Sequence, residues 1–264
     1  MPDMVVLIKV VPDSNEVFVD PVTFTLNRSQ ATNVINQADE NALEAALRIK
    51  DKFGGTVTVI SMAPSFAEAA LIECMARGAD NAILVNDRAI AGSDTYPTSL
   101  TLAAAIKKLG KYDIIFAGEK TSDSSTGHVG PGVAEFLEAE LASYVRDCTY
   151  EDGYVVAERE LEEGVEVVRI PTPAVVTIVT NSNTPRIASL RRKIDAMRKG
   201  VTVWTMKDLG IPPDWVGLRN SPTVVKKMLP FPRKDRKAKR VKTEEIGQML
   251  EELVKEGIIE LGGE

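Results

Sequence analysis

The chain has 264 residues, a formal net charge of −6, two cysteines and one histidine. That length supports one or two domains with a sizeable core, and 44% hydrophobic with 27% charged residues is ordinary for a soluble protein. The acidic balance points to no nucleic-acid partner, His128 alone cannot build a multi-histidine metal site so no metal is expected, and Cys74 and Cys148 lie far apart in apolar-periodic segments, as reduced thiols would. No apolar run approaches the ~20 residues that cross a bilayer. The first strand-like run has no signal-peptide layout, so a cytoplasmic protein is expected.

In chain order, Met4 to Val11 (MVVLIKVV) is an apolar run broken by one lysine, the pattern of a strand buried on both faces. Asp39 to Lys52 places Leu43, Ala46, Leu47 and Lys50 at helical spacing and ends at Gly54-Gly55. Thr56 to Ser61 is the second strand. Ser65 to Arg77 is a helix closed by Gly78, and Asn81 to Val85 the third strand. Thr98 to Leu109 is helical, Tyr112 to Phe116 is the fourth strand, and Val133 to Leu137 begins a fourth helix. Such alternation implies crossovers and a mostly parallel sheet with helices on both faces, an α/β fold. Ser143 to Tyr150, Tyr154 to Leu161 and Val165 to Ile170 then read as an antiparallel meander, followed by a buried strand at Ala174 to Thr180. Asn181 to Lys199 is basic with little strand signal, Val201 to Thr205 is a short strand, and Ile211 to Pro232 is rich in proline. Arg233 to Lys242 is a basic run, and Thr243 to Ile259 an amphipathic helix with Ile246, Leu250, Leu253, Val254 and Ile258 on one side. The tail has no obvious core of its own.

The most informative stretch is Tyr112 to Pro131, YDIIFAGEKTSDSSTGHVGP. An apolar strand stops at Ala117-Gly118 and a polar turn leads to a helix start. Free backbone N–H groups at such a turn, beside the hydroxyls of Thr121, Ser122, Ser124, Ser125 and Thr126, suit a phosphate or diphosphate. An ordinary capped helix after a surface loop explains the same residues, and composition alone does not separate the two. Parallel sheets bind ligands at the carboxyl ends of their strands, so the other loops there matter as well. These hold Val11, Pro12, Asp13 and Ser14 after the first strand and Ser61 to Ser65 after the second, with Asn33 to Asp39 before the first helix. Ala63 and Ala117 are small enough for a ring to approach, whereas Ser61 or Ser65 could equally be a cap. GxGxxG, GxxxxGK[ST] and GxSxG signatures are all absent, and His128 is better placed as a hydrogen-bonding residue at a helix start than as a base. The chain is equipped to hold a nucleotide, with no catalytic residue of its own.

Several stretches resemble the beta subunit of electron transfer flavoproteins, of the type called FixA in its quinone-linked versions. They are IKVVPDS (Ile8 to Ser14), NVINQADENALEAALR (Asn33 to Arg48), MARGADNAILV (Met75 to Val85), AGEKTSDSSTGHVGP, TPRIASLRRKIDAM (Thr184 to Met197) and GLRNSPTVV (Gly217 to Val225). The resemblance implies an adenine-nucleotide-binding α/β fold like that of universal stress proteins. It divides the chain into a nucleotide- or flavin-binding domain over 1–200, with a recognition loop at 184–199, and an arm over 201–264 that packs on an alpha subunit. It also implies a beta-site nucleotide, AMP in the housekeeping group and FAD in the electron-bifurcating group. Val11-Pro12-Asp13 and Val129-Gly130-Pro131 match the latter, so FAD is expected, with NADH as transient substrate and a quinone oxidoreductase and ferredoxin-type proteins as redox partners; any membrane association would run through partner subunits. NADH oxidation would belong to the bifurcating complex as a whole. The expected cofactor contacts are Val10, Pro12, Asp13, Asn36, Ser61, Ala63, Ala117, Gly118, Thr121, Ser122, Asp123, Ser124, Ser125, Thr126, Val129 and Gly130. Of these, 121–126 face the diphosphate, and Val10, Asn36, Ala63 and Val129 the adenosine or ribityl part. Leu190, flanked by Arg191 and Arg192, matches the family's partner anchor; without the resemblance a basic loop with its leucine folded under explains the segment. The family loop commonly has Gln-Ala where this chain has Glu119-Lys120 and Gln where it has His128, so Glu119 needs Lys120 or a partner's arginine to offset its charge. Two rivals stay open: a non-bifurcating carrier with AMP, and a stand-alone nucleotide-binding regulator.

Overall fold

The N-terminal apolar run divides its side chains between two layers. Met4, Val6 and Ile8 are buried in one core and Val5 and Leu7 in another, which is how a central parallel strand is covered on both faces. The computed structural model describes residues 1–13, 18–19, 26–27, 32–225 and 240–259. The first strand, β1 (Asp3–Leu7), is shorter than the expected run to Val11. Its ladder stops because the N–H of Lys9 bonds the Asp39 carboxylate at 2.7 Å instead of a neighbouring strand. The chain continues as β2 (Val10–Pro12), β3 (Phe18–Val19), β4 (Leu26–Asn27) and β5 (Asn33–Ile35), with β2 antiparallel to β5 and β3 antiparallel to β4 outside the main sheet.

The remaining elements alternate as expected: α1 (Gln37–Phe53), β6 (Thr56–Met62), α2 (Glu68–Arg77), β7 (Asn81–Val85), α3 (Thr95–Leu109), β8 (Ile114–Gly118) and α4 (Val129–Leu137). The meander follows as β9 (Glu140–Glu151), β10 (Tyr154–Leu161) and β11 (Gly164–Pro171), then β12 (Ala174–Ile178), α5 (Leu190–Lys199), β13 (Thr202–Trp204) and α6 (Met206–Leu209). They form a nine-stranded sheet in the order β11-β10-β9-β12-β8-β1-β6-β7-β13. From β9 through β13 across that order the pairings are parallel, and β10 and β11 extend the sheet antiparallel. Helices α1, α2 and α5 cover the face that buries Val6 and Phe116, while α3, α4 and α6 cover the face that buries Val5 and Ile115. The chain leaves β1 for β6 on one side and returns through β8 on the other. The strand order therefore reverses beside β1, where open α/β sheets form their ligand crevice.

Beyond β1, three differences from the sequence reading have causes visible in the structure. Helix α3 starts at Thr95, not Thr98, because the Asp94 carboxylate accepts the N–H of Tyr96 at 2.9 Å and caps it. Helix α4 spans Val129–Leu137, where the apolar pattern placed only its beginning, because Pro131 fits a first helical turn and Glu138 closes the helix in a left-handed conformation at φ 52°. The third concerns the domain boundary at 200, which falls inside the first of two units, Met1–Met228 and Leu229–Glu264. Strand β13 is the sheet's last strand, Met206 and Val216 are buried, and Asp94 accepts the N–H and hydroxyl of Thr223 at 2.8 Å each. Residues 201–225 thus belong to the sheet domain. In the second unit, α7 (Ile246–Lys255) follows a 3-10 turn at Thr243–Glu245, and its Ile246, Leu250 and Val254 form an exposed stripe at i, i+4 spacing. Ser14 and most of the basic run, 233–239, lie outside the described residues.

Helix α4 is seated by its glycines. A Cβ on Gly130 would stand 2.5 Å from Thr177 Cγ2, and one on Gly132 would stand 2.5 Å from Ser99 Oγ and 2.9 Å from Ser99 Cβ. Gly132→Ala should therefore destabilise the fold by ~2 kcal/mol in urea unfolding, overpacking outweighing the gain in helix propensity. Unchanged or raised stability would contradict this packing.

Candidate functional site

The site begins with one buried carboxylate. Asp39, in the first turn of α1, accepts the N–H of Lys9 at 2.7 Å through Oδ2 and the N–H of Gly118 at 3.0 Å through Oδ1. It is 4% exposed and joins the carboxyl ends of β1 and β8 across the switch point. Burial pushes its pKa up to about 7, against the lowering effect of those two N–H bonds and of Asn36 and Lys9. Gly118 must be glycine here, since a Cβ would stand 2.7 Å from that of Ala38 and collide with Asp39 itself. Asn36, also buried, grips the following loop: its Nδ2 donates to the Lys120 carbonyl at 3.0 Å and its Oδ1 accepts the N–H of Ser122 at 3.1 Å.

The hydroxyl-rich loop closes on itself. Ser125, at φ 53°, donates its N–H to the Thr121 carbonyl at 2.8 Å and its hydroxyl to the same oxygen at 3.1 Å. Thr121 Oγ1 lies 2.7 Å from Ser124 Oγ and donates to Asp123 Oδ1 at 2.8 Å. Lys9 reaches in from the end of β1, with Nζ 2.7 Å from Asp123 Oδ1 and 3.3 Å from Thr121 Oγ1. The capped-helix alternative does not describe α4: His128 occupies its N-cap position, its carbonyl accepts the Gly132 N–H at 2.9 Å, and no side chain caps the helix. His128 thus stands at the helix start without, among the described residues, the side-chain bond expected of it. The N–H groups of Gly127, His128, Val129 and Gly130 donate to no acceptor among the described residues. Backbone donors at a helix N-terminus, next to Ser122, Ser124, Ser125 and Thr126 hydroxyls, fit an anion. Glu119 does not oppose this, because its carboxylate turns to the N–H and hydroxyl of Thr180, at 3.2 and 3.1 Å, with Lys120 Nζ 3.9 Å away.

The other expected residues gather around the same strand ends. Ser61 is not a cap. It lies within β6, 1% exposed, and its Oγ is a buried polar atom without a hydrogen-bond partner among the described residues, the kind of group a bound molecule satisfies. Ala63 follows β6 and bonds through its N–H to the Val85 carbonyl. Ala117 is the last residue but one of β8, with its methyl in the core that holds Val133, and Val129 and Gly130 open α4. Val10 and Pro12 lie on β2 and not in an open loop, and the Asp13 N–H bonds the Thr32 carbonyl at 2.8 Å. A separate cleft of ≈500 Å³, lined by Arg48, Arg146, Asp147, Glu158, Glu160 and residues 179–182, contains none of the expected contacts, and its Arg146 is paired with Glu158 at 2.9 Å.

The basic segment is anchored, not loose. Asn41 Nδ2 donates to the Asn183 carbonyl at 2.8 Å, Asn183 Nδ2 returns a bond to the Asn41 carbonyl at 3.0 Å, and Arg186 gives its N–H and Nε to Glu44 Oε2 at 3.0 and 2.9 Å. Burial pushes the Glu44 carboxyl up, but the Arg186 guanidinium and N–H outweigh it and hold the pKa below its ordinary value. Ser189 then caps α5 by accepting the Arg192 N–H at 3.2 Å. The expected recognition loop is a helix from Leu190 onward, and Leu190 is 76% exposed, so the folded-under alternative fails. Ile187, Ile194 and Met197 are exposed beside it, with Arg191 and Arg192 at the edge.

Lys9, Asn41, Glu44 and Arg186 escaped the sequence reading, and Asp39 entered its candidate site only as the last residue of the 33–39 segment. The signals were a lysine interrupting an apolar strand and three polar residues, Asp39, Asn41 and Glu44, near the start of a helix otherwise apolar on its inner side.

Fold and crevice define the class: a doubly covered α/β protein whose donor-lined loop sits at the topological switch point. Residues 23–209 match the electron transfer flavoprotein domain. The chain is 46% identical over 224 residues, 84% of its length and 86% of the relative's, to the electron transfer flavoprotein subunit beta of Thermoanaerobacterium thermosaccharolyticum. It is 44% identical over 88% of its length to protein FixA of Azotobacter vinelandii (85% of that protein), and 43% identical over 84% to the caffeyl-CoA reductase-Etf complex subunit CarD of Acetobacterium woodii (85% of that protein). The chain belongs to the electron transfer flavoprotein family, in its beta-subunit and FixA group. Electron transfer, association with flavin and pairing with an alpha subunit come with that family. Among the described residues no helix is long and apolar enough to cross a membrane.

The Asp39 bridge carries a pH signature. Its pKa is raised from 3.8 to about 7, so the stability this group supplies is whole below the lower value and is lost as pH rises through the upper. Between those values the stability difference between Asp39→Asn and the parent should move in the variant's favour by ~1.4 kcal/mol per pH unit, read by urea unfolding. A difference flat in pH would place Asp39 at an ordinary carboxylate pKa.

Proposed function

We propose that the crevice over β1, β6 and β8 holds the adenylate and diphosphate of FAD, and that the chain is the beta subunit of a bifurcating heterodimer that accepts electrons from NADH and delivers them to a quinone oxidoreductase and a ferredoxin-type acceptor. The observation that carries the phosphate site is the run of N–H groups from Gly127 to Gly130 without acceptors among the described residues, beside the hydroxyls of 121–126. The flavin supplies the redox chemistry when bound. This chain's share is to bind and orient. Asn36 and Asp39 hold the loop and both strand ends in place, Gly118 lets α1 press against the strand end, the small Ala63 leaves room for a ligand, and the Ser61 hydroxyl, without a partner among the described residues, is available to it. FAD is preferred to AMP because Val11-Pro12-Asp13 and Val129-Gly130-Pro131 stand as in the bifurcating group, and because one relative bears the name of a reductase-Etf complex. Co-purified with its alpha subunit and extracted, the protein should yield FAD from both subunits and no AMP; FAD accompanied by AMP would leave a simple carrier.

The same reading makes α5 the docking element for a redox partner. An exposed leucine inside a basic rim suits a short-lived interface, in which a few apolar residues carry the affinity and charges speed the encounter. Leu190→Ala should slow electron transfer to the partner about tenfold with bound nucleotide unchanged, and the parent's rate should fall as ionic strength rises. Equal rates in the variant, or a rate flat in salt, would remove α5 from the docking surface.

A further inference from the structure

The crevice offers donors, yet the loop brings its own anion to them. Asp123 Oδ1 takes the Lys9 ammonium at 2.7 Å and the Thr121 hydroxyl at 2.8 Å, and Thr121 Oγ1 is in turn 2.7 Å from Ser124 Oγ and 3.3 Å from Lys9 Nζ. Lys9 is the cation that the end of β1 extends to this loop, since Lys120 lies toward Glu119 at 3.9 Å. The Lys9 and Asp123 side chains are 44% and 25% exposed, so the pair sits at the mouth of the crevice and within reach of solvent.

We infer that Asp123 acts as an internal competitor of the ligand's phosphates for Lys9 and the Thr121 hydroxyl, and so sets how tightly phosphorylated adenosine ligands are held. The inference rests on the proposed nucleotide site and adds a residue-level rule to it. A phosphate brought to Lys9 meets a second anion already on the same ammonium. Either the lysine is shared, at the cost of two anions in close range, or the carboxylate leaves, at the cost of its ion pair and hydroxyl bond. With these contacts made, Asp123 is charged: burial raises its pKa, but Lys9 and Thr121 outweigh burial and hold it below the ordinary carboxylate value. The penalty falls on phosphate alone, because adenosine brings no charge to Lys9. Asp123 is thus a specificity-determining residue, whose effect grows with the number of phosphates.

The test is equilibrium binding of adenosine, AMP and ADP to the complex with its alpha subunit, stripped of exchangeable nucleotide, for the parent, Asp123→Asn, Asp123→Ser and Lys9→Gln. A part-exposed ion pair of this kind corresponds to about a fivefold change in affinity. ADP should bind about fivefold more tightly to both Asp123 variants, AMP by less, and adenosine as in the parent, while Lys9→Gln should weaken ADP and leave adenosine alone. Two Asp123 substitutions of different shape, with melting temperatures alongside, separate charge competition from a damaged loop. ADP binding that is unchanged or weaker in both folded variants overturns the inference, as does an equal gain for adenosine, which would mean a loosened loop. A parent complex that binds none of the three ligands overturns the nucleotide site itself, a failure distinguishable from the other two.

Discussion

One buried carboxylate fixes the geometry on which everything else depends. Asp39 ties the N–H of Lys9 to that of Gly118, and thereby joins the two strand ends where the sheet reverses its order. A carboxylate is costly to bury, and bonds to its charged form offset part of that cost, the raised pKa being what is left of it. Here both are backbone bonds to points that must not move. Lys9 is where the first ladder stops and the β2–β5 ribbon begins, and Gly118 is where β8 gives way to the hydroxyl-rich loop. A longer side chain at 118 has no room, so the strand end presses against the first turn of α1.

Helix α1 extends the same principle along its length. Asn36, Asp39, Asn41 and Glu44 are all buried polar residues on or just before it, and each holds a different piece of non-local backbone. Asn36 holds 120–122, Asp39 holds residues 9 and 118, Asn41 holds 181–183, and Glu44 holds Arg186. The crevice loop and the segment that leads into α5 are therefore referenced to one rigid element. A helix that was only amphipathic would pack on the sheet and leave both loops to find their own positions. These polar contacts add little net stability, since each exchanges water for protein, but they specify one arrangement.

The fold was legible because its signals are local. Apolar runs of strand length alternating with helical periodicity made the parallel sheet readable, and three strand-like runs separated by gaps of three residues made the meander readable. What was not legible was long-range polar pairing. Nothing near Asp39 in sequence announces that its partners are 30 and 79 residues away. The same holds for residues 201–225: proline-rich and weak in apolar pattern, they read as a tail. They join the domain through a three-residue strand and through Asp94, which the sequence reading took neither as the cap of α3 nor as the acceptor for Thr223. Motif reading found the loop at 118–130, but not the lysine that reaches it, because a lysine inside a strand-like run reads as an interruption.

The departures from the family's usual loop become intelligible once side-chain directions are known. Glu119 was a concern because an added negative charge at a phosphate site is repulsive, but its carboxylate is drawn to Thr180 at the end of β12, and Lys120 lies alongside. The loop's remaining acid, Asp123, points the other way, onto Lys9. The two acids thus differ in consequence. Glu119 is spent on holding β12 to β8, where a ligand need not disturb it, whereas Asp123 sits on donors that a ligand would use. Charge counting along the sequence treats them alike; the bonds each makes decide which one a ligand's phosphates must contend with.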